Sequence, residues 1–432
     1  AAAAQDIAML VFARVVQGTA AALMMPNSVA IVSQLFAGDR RGSALGVLAG
    51  GTAFFAALGP VIGGALTGID WRLVFVLNGI LAVATIVLTR ASTPALAPQR
   101  AGARIDVPGL ITFAVGIASL VFGLAQLAQS GASPESQYVP IAAGLAILAL
   151  FVAIELRTQE PLIDLRLLRH LNFLAANVSQ VIAGAIELGL GFLLPFQLLL
   201  VVGVEPAVAG LALLPASIPI ILVGPLAGRV FDSHGGRWPL VVGFLVLAAS
   251  GVALAIGVSD ASVASLTPGL ILQGVGLGIV LTVNDPVGLS SVPPADSGQA
   301  AGVINTAEQL GGAVGIAGFL ALEYRTYIDG TNERLAEQGI EPTQAQIEAG
   351  REYMLEAEQE GLRNVPEPEF LRRAFDDLME AHVEGFQLAF GASGAVALLG
   401  AVVCLALVRR GDPLGVRIRS RRSRWILAGR QG

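Results

Sequence analysis

Glu187, Asp285 and Glu308 are acids set inside stretches of sequence otherwise composed for lipid. Glu187 lies roughly fifteen residues into the apolar run 172–203, about 22 Å along a helix, and its neighbours AGAIELGLGFLLPFQ hold no compensating charge. Asp285 stands in TVNDPVG, ahead of Pro286 near the end of its run, and Glu308 falls near the middle of the next. No residue of opposite charge stands one turn from Glu308, at 304, 305, 311 or 312. A charge at bilayer depth costs about 3 kcal/mol on insertion scales, so each acid must be protonated, paired or facing a wet cavity. An acid that passes between those conditions is a reversible proton carrier. Arg14, within ARVVQGTAAALMMPNSVAI, is the cation of its own apolar run. A guanidinium keeps its proton, so Arg14 can hold or modulate an acid's charge without carrying the proton.

The elements that must position these residues are membrane helices. The chain is 54% hydrophobic and 13% charged, with mean hydropathy +0.72, outside the balance of a soluble globular protein. Apolar runs near the ~20 residues a crossing needs recur at 7–36, 42–68, 72–90, 106–128, 138–157, 172–203, 206–230, 238–258, 264–290, 298–322 and 386–408. About eleven transmembrane helices are therefore expected. None of the runs alternates with period two, which excludes a membrane barrel, and the backbone must satisfy itself within each segment.

The chain contains no lysine. That excludes the phosphate-cradling G-x-x-x-x-G-K-[ST] loop, so ATP hydrolysis is not the energy source. It also makes arginine the sole guide to orientation. Arg40 and Arg41, then Arg90, Arg100 and Arg104, then Arg157, Arg166 and Arg169, then Arg229 and Arg237, and finally the eight arginines from Arg409 to Arg430 fall on alternate connections. Those connections are expected to face the cytoplasm. The segment from Glu323 to Glu384, with six arginines against sixteen acids, is expected outside. With the C-terminus inside and eleven spans before it, Ala1 lies outside, and the expectation is a chain that lacks its first helices.

Small residues and turns offer further sites. Gly59 and Gly63, with Pro60 between, lie one helical turn apart in GPVIGG, so a neighbouring backbone could approach closely there. Both a pivot and ordinary small-residue packing fit that spacing. Gly298 with Gly302, and Gly311 with Gly315, repeat it. Asp232, just ahead of the run starting near Arg237, could pair with Arg229 or Arg237 as a cytoplasmic latch. Cys404, His170, His234 and His382 show no metal-ligand spacing, and neither a metal nor a cofactor is expected.

Five motifs in order then resemble one family. RVVQGTAAALMMP, with Arg14, Gln17 and Gly18, resembles the fourth-helix motif of the major facilitator superfamily. GVLAGGTAFFAALGPVIGG, with Gly46, Gly59, Pro60, Gly63 and Gly64, resembles the antiporter motif of its fifth helix, although Phe55 stands where that pattern has glycine. WRLVFVLN looks like the start of the sixth helix. Gly228, Asp232, Gly236 and Arg237 are close to the second-half gate loop, one residue shifted. GVINTAEQLGGAVGIA is similar to the thirteenth helix of the fourteen-helix drug:proton antiporter branch, with Glu308 where arginine is common.

The resemblance implies an all-α bundle beginning at the fourth of fourteen helices. Residues 1–90 would complete the N-terminal half, 91–171 would hold two inserted linker helices, 172–408 would form the C-terminal six-helix half, and 409–432 a basic tail. It further implies a non-enzymatic, proton-coupled antiporter in the bacterial plasma membrane, exporting amphipathic or cationic compounds by alternating access. Its partners would be the lipid bilayer, protons and a small-molecule substrate, and no nucleic acid. Export of an endogenous lipid, siderophore or metabolite, or a non-transporting scaffold or receptor, are the alternatives. Within the external segment 323–385, Thr343 with Gln346 resembles a capping box, and Leu371, Phe375 and Leu378 share one helix face. A small helical cap that could meet an envelope partner is expected there.

Overall fold

A computed structural model describes residues 1–35, 48, 51–52, 55, 58–59, 61–92, 106–126, 133–158, 161, 165–292, 297–337 and 375–409. Among them there is no strand. The helices are α1 (Ile7–Leu35), α2 (Arg72–Ser92), α3 (Val107–Gln126), α4 (Pro134–Glu155), α5 (Leu171–Gln197), α6 (Pro206–Ala212), α7 (Leu214–His234), α8 (Arg237–Gly257), α9 (Val263–Leu289), α10 (Ser297–Glu337) and α11 (Phe375–Leu407). Nine helical segments among the described residues are long and apolar enough to cross a membrane, with α6 and α7 counting as one. Of the eleven expected spans, 42–68 is described only in part, its residues 61–67 being helical. The other, 298–322, lies in α10, which is not among the nine. Gln299, Asn305, Thr306, Glu308 and Gln309 dilute its apolar character, yet α10 packs against α5 and α11 as a full member of the bundle.

The core sits among α5 and α7–α11, where Phe173, Phe244, Phe386 and Phe390 are fully buried. No described residue of α1 or α2 is buried. Glycine governs how closely the core helices meet. A Cβ at Gly184 would overlap the carbonyl oxygen of Glu308, and one at Gly311 or Gly315 the carbonyl of Val181 or Ala185, so α5 and α10 touch backbone to backbone. Gly251 meets Gly394 in the same way where α8 crosses α11, since a Cβ on Gly251 would stand only 2.6 Å from the Gly394 amide nitrogen. The small-residue spacing read at 311 and 315 therefore does bring two helices together. That at Gly302 does not, since a Cβ there would meet open space.

Helices α3 and α4 form a hairpin of their own. Gly116 receives Leu148, Gly123 receives Ile141, Gly144 lies against the backbone of Leu120, and Ser119 donates to the Pro140 carbonyl at 2.9 Å. Two glycines make turns that other residues would resist. Gly203, with φ 70°, ends the π turn that closes α5, and Gly235, with φ 76° and ψ 178°, separates α7 from α8.

Beyond the expected span ends, α10 runs on to Glu337 and α11 begins at Phe375, so helical structure on both sides of 338–374 grows directly out of the bundle. Thr343, Gln346 and Leu371 lie outside the described residues. The two extensions are clamped together. Arg334 makes a forked pair with Glu384, at 3.2 and 2.8 Å. His382, placed by sequence in the external segment, instead lies within the apolar stretch of α11 and is buried. Its Nδ1 is 3.1 Å from Glu323 Oε1, and its ring stacks on Tyr327 with centroids 3.7 Å apart.

Gly311→Ala is expected to lower stability by about 1–3 kcal/mol through overpacking against Val181, while Gly302→Ala stays within about 0.5 kcal/mol; thermal unfolding in detergent compares the two. Glu323→Ala, which strands His382 in the core, is expected to cost on the order of 3 kcal/mol, against at most about 1 kcal/mol for Arg334→Ala at the partly exposed pair. Equal losses in either comparison would contradict the corresponding packing account.

Candidate functional site

Polar residues recur on α5 at Asn177, Gln180 and Glu187, spaced by three and seven positions, so they share one helix face with Gly184. In the bundle that face turns to α9 and α10. Gly184 admits the Glu308 backbone, and the Glu308 carboxylate then accepts a hydrogen bond from Gln180 Nε2. Gln180 Oε1 in turn accepts from Asn284 Nδ2, which also donates to the Ala176 carbonyl at 2.8 Å. Ser179 Oγ donates to Asn284 Oδ1 at 2.6 Å. Asn284, Ser179 and Gln180 are all but fully buried. The result is a continuous polar chain, Ser179–Asn284–Gln180–Glu308, that ties three helices at one level.

The three acids singled out by sequence gather at this point. Asp285 directly follows Asn284 of the polar chain, and Glu187 lies one turn beyond Gly184, which meets the Glu308 backbone. Glu187 is half-buried, and its Oε2 is buried with no hydrogen-bond partner. Asp285, next to the fully buried Asn284, is exposed. The set therefore runs from a carboxylate held inside by an amide to one open to its surroundings. Chemically, such a set can take up and release protons as a unit, and can attract a cation when ionised.

Other sequence-derived sites are placed differently. Arg14 is exposed, donates to Gln17 Oε1 at 3.2 Å and stacks over the Phe75 ring of α2 at 5.0 Å, so it is not brought to the three acids. Gly18 faces open space. The close approach expected at Gly59 and Gly63 is absent, since a Cβ at either would meet nothing within 4 Å. It occurs instead at Gly64, where a Cβ would overlap the Pro206 carbonyl and come within 3.3 Å of the Cα of Gly210. Spacing alone could not tell which face of that helix has a neighbour. Gly46 and Pro60 lie outside the described residues.

At the gate loop, Asp232 is exposed and forms no ion pair among the described residues. Arg237 does not meet it but donates from Nη2 to the Leu405 carbonyl at 2.6 Å, joining the start of α8 to the end of α11. Arg229 is exposed one turn before the end of α7, and Gly228 makes only ordinary contact with Thr282. Gly236 lies against Val287 of α9. Sequence reasoning missed Gln180, Asn284 and Ser179. The signal was present in the polar stripe of α5, and it was passed over because uncharged side chains are cheaper to bury than acids.

Residues 1–316 match the family model described as Major Facilitator Superfamily. The chain is 32% identical over 323 residues to a probable actinorhodin transporter of Streptomyces coelicolor, covering 72% of this chain and 55% of that protein. It is 28% identical to the tetracenomycin C resistance and export protein of Streptomyces glaucescens, covering 94% and 76% respectively. It is 31% identical to a puromycin resistance protein of Streptomyces alboniger, covering 73% and 63%. The chain thus spans between about half and three quarters of the length of these relatives. Among solved structures, a bacterial homologue of the human lysosomal transporter Spinster, inward-facing and unoccupied, aligns with a TM-score of 0.50 at 14% identity, covering 88% of this chain and 74% of that one.

Asn284→Leu would strand the Gln180 carbonyl in the core, while Ser179 keeps the Ala176 carbonyl at 3.1 Å, and is expected to cost on the order of 2 kcal/mol. Asp285→Asn, at the adjacent exposed position, should stay within about 0.5 kcal/mol. Unfolding midpoints of both variants in detergent check this, and similar midpoints would dissolve the network's structural role.

Proposed function

Because this chain belongs to the Major Facilitator Superfamily, a family of multi-pass membrane transporters, we propose that it is a proton-coupled antiporter that exports amphipathic or cationic compounds by alternating access. The observation that carries this reading is the polar chain that joins α5, α9 and α10 at Glu308, with Asp285 next to its Asn284 and Glu187 one turn beyond the Gly184 contact. Likeness to proteins named for antibiotic transport, export and resistance supports the class of substrate.

The coupling is a competition. Carboxylates in a site walled by apolar helices are ionised at a cost that either a bound proton or a bound cation relieves. A cationic substrate entering the cavity would displace protons, and protons entering from the other side would displace the substrate. Gln180 keeps the Glu308 carboxylate in place in either state, because its amide N–H can donate to a carboxylate or to the carbonyl oxygen of the acid. Asp285, the exposed member, is the one assigned to exchange protons with water.

Gating is assigned to the ends of the bundle. The arginine-bearing end, with the C-terminal tail, faces the cytoplasm under the positive-inside rule. There Gly228, Arg229, Asp232 and Arg237 form the latch, with Asp232 free in this conformation to pair with an arginine in another. Gly64, packed on Pro206, is the contact about which the Gly59–Gly64 helix turns. Arg14, with Gln17 and Gly18, tunes an acid of the coupling set in a conformation other than this one.

Glu308→Gln keeps shape and hydrogen bonding but fixes the uncharged state. Substrate-induced pH change in vesicles holding the intact protein, at matched abundance, should be strongly reduced in the variant. Export of cations should fall more than export of neutral compounds. Equal proton release by wild type and variant would remove Glu308 from coupling.

A further inference from the structure

Three separate chain segments line an open cavity of about 340 Å³ at the surface, formed by Arg169, His170, Leu171, Asn172, Ser291 and Arg409. Arg169 ends the short 3-10 helix Leu165–Arg169, and His170 is the N-cap of α5. Ser291 follows the end of α9, and Arg409 follows the end of α11. The backbone N–H of Arg409 donates to Asn172 Oδ1 at 2.8 Å, which fixes the end of α11 against the start of α5. Among the described residues, no carboxylate lines the cavity. Among the described residues, Arg169, His170 and Arg409 make no ion pair, and their side chains make no hydrogen bond. His170 also leaves α5 without a side-chain cap, so the amide groups of the first turn add their partial positive charge.

We propose that this cavity binds a phosphate group. Two arginines and a histidine lining one cavity beside an uncapped helix start match the charge and the several acceptor oxygens of phosphate. The volume lies at the small end of ligand cavities, which suits a headgroup or a free anion better than a drug-sized molecule. Its position supports a lipid source: it lies where α5, α9 and α11 each reach the end of an apolar span, the level at which bilayer phosphates lie. The carboxylate set is a different site, on the Gly184 face of α5 rather than at its first residues.

The intact protein in detergent is titrated with phosphatidylglycerol, with diacylglycerol, which lacks the phosphate, and with inorganic phosphate, reading the unfolding midpoint. Phosphatidylglycerol should stabilise the wild type, and its apparent affinity should fall by at least about tenfold when Arg169→Gln and Arg409→Gln are combined. Arg157→Gln, outside the cavity, should respond as wild type. Ser291→Asp, which puts a carboxylate into the cavity without removing an arginine, should weaken binding likewise and covers the case in which the double variant does not fold. A response to inorganic phosphate that the cavity variants also lose assigns a free anion, and a response to phosphatidylglycerol alone assigns a lipid. The proposal is overturned if diacylglycerol stabilises as well as phosphatidylglycerol, if neither phosphate source acts on the wild type, or if the cavity variants respond as the wild type does.

Discussion

The architecture depends on the closeness with which α5 meets α10. Gly184 on one helix and Gly311 and Gly315 on the other remove the side chains that would hold their backbones apart. In a membrane this is a main source of helix association, because lipid tails leave little hydrophobic gain for one apolar helix against another. With a larger residue at Gly184, the Glu308 backbone would stand off and its carboxylate would move away from the Gln180 amide. The same approach sets how near the Glu308 backbone comes to the helix that carries Glu187. Packing of the smallest residues thus determines the geometry of the most polar ones.

The polar chain from Ser179 to Glu308 shows how such a group is kept in an apolar bundle. Each buried amide has a partner on a different helix, so Asn284 links α9 to α5, and Gln180 links α5 to α10. Unsatisfied, each of these groups would carry a desolvation cost comparable to a lost hydrogen bond. The network therefore fixes the register of three helices as well as the position of the acid. The ends of the bundle are joined by other means: Arg237 reaches the Leu405 carbonyl, and Asn172 receives the Arg409 amide.

Much of this was legible in the sequence, for physical reasons that differ from element to element. Helices were legible because a lipid environment forces long apolar runs, and the acids because a charge at depth is costly enough to be conspicuous. The gathering of Glu187, Asp285 and Glu308 was not, since it depends on how three helices rotate about their axes. Gly311 and Gly315 kept the close contact that their spacing suggests, whereas Gly59 and Gly63 face open space and Gly64 takes that role. A glycine pair marks where a neighbour could approach, and only the packed bundle decides which face one occupies. His382 was misplaced for a related reason. Its flanking acids read as solvent, but Glu323, Tyr327 and Phe386 enclose it.

Helix α10 runs unbroken for 41 residues, about 60 Å at the usual rise, roughly twice the hydrocarbon thickness of a bilayer. It acts as a lever arm with its fulcrum at the glycine contact with α5. A tilt of about 10° at that fulcrum would carry a point some 30 Å further along the rod through roughly 5 Å. The Arg334–Glu384 fork and the stacked His382 yoke α11 to the same arm. A rearrangement around Glu308 that tilted the rod would thereby be amplified into a displacement that a probe attached near Glu337 could register.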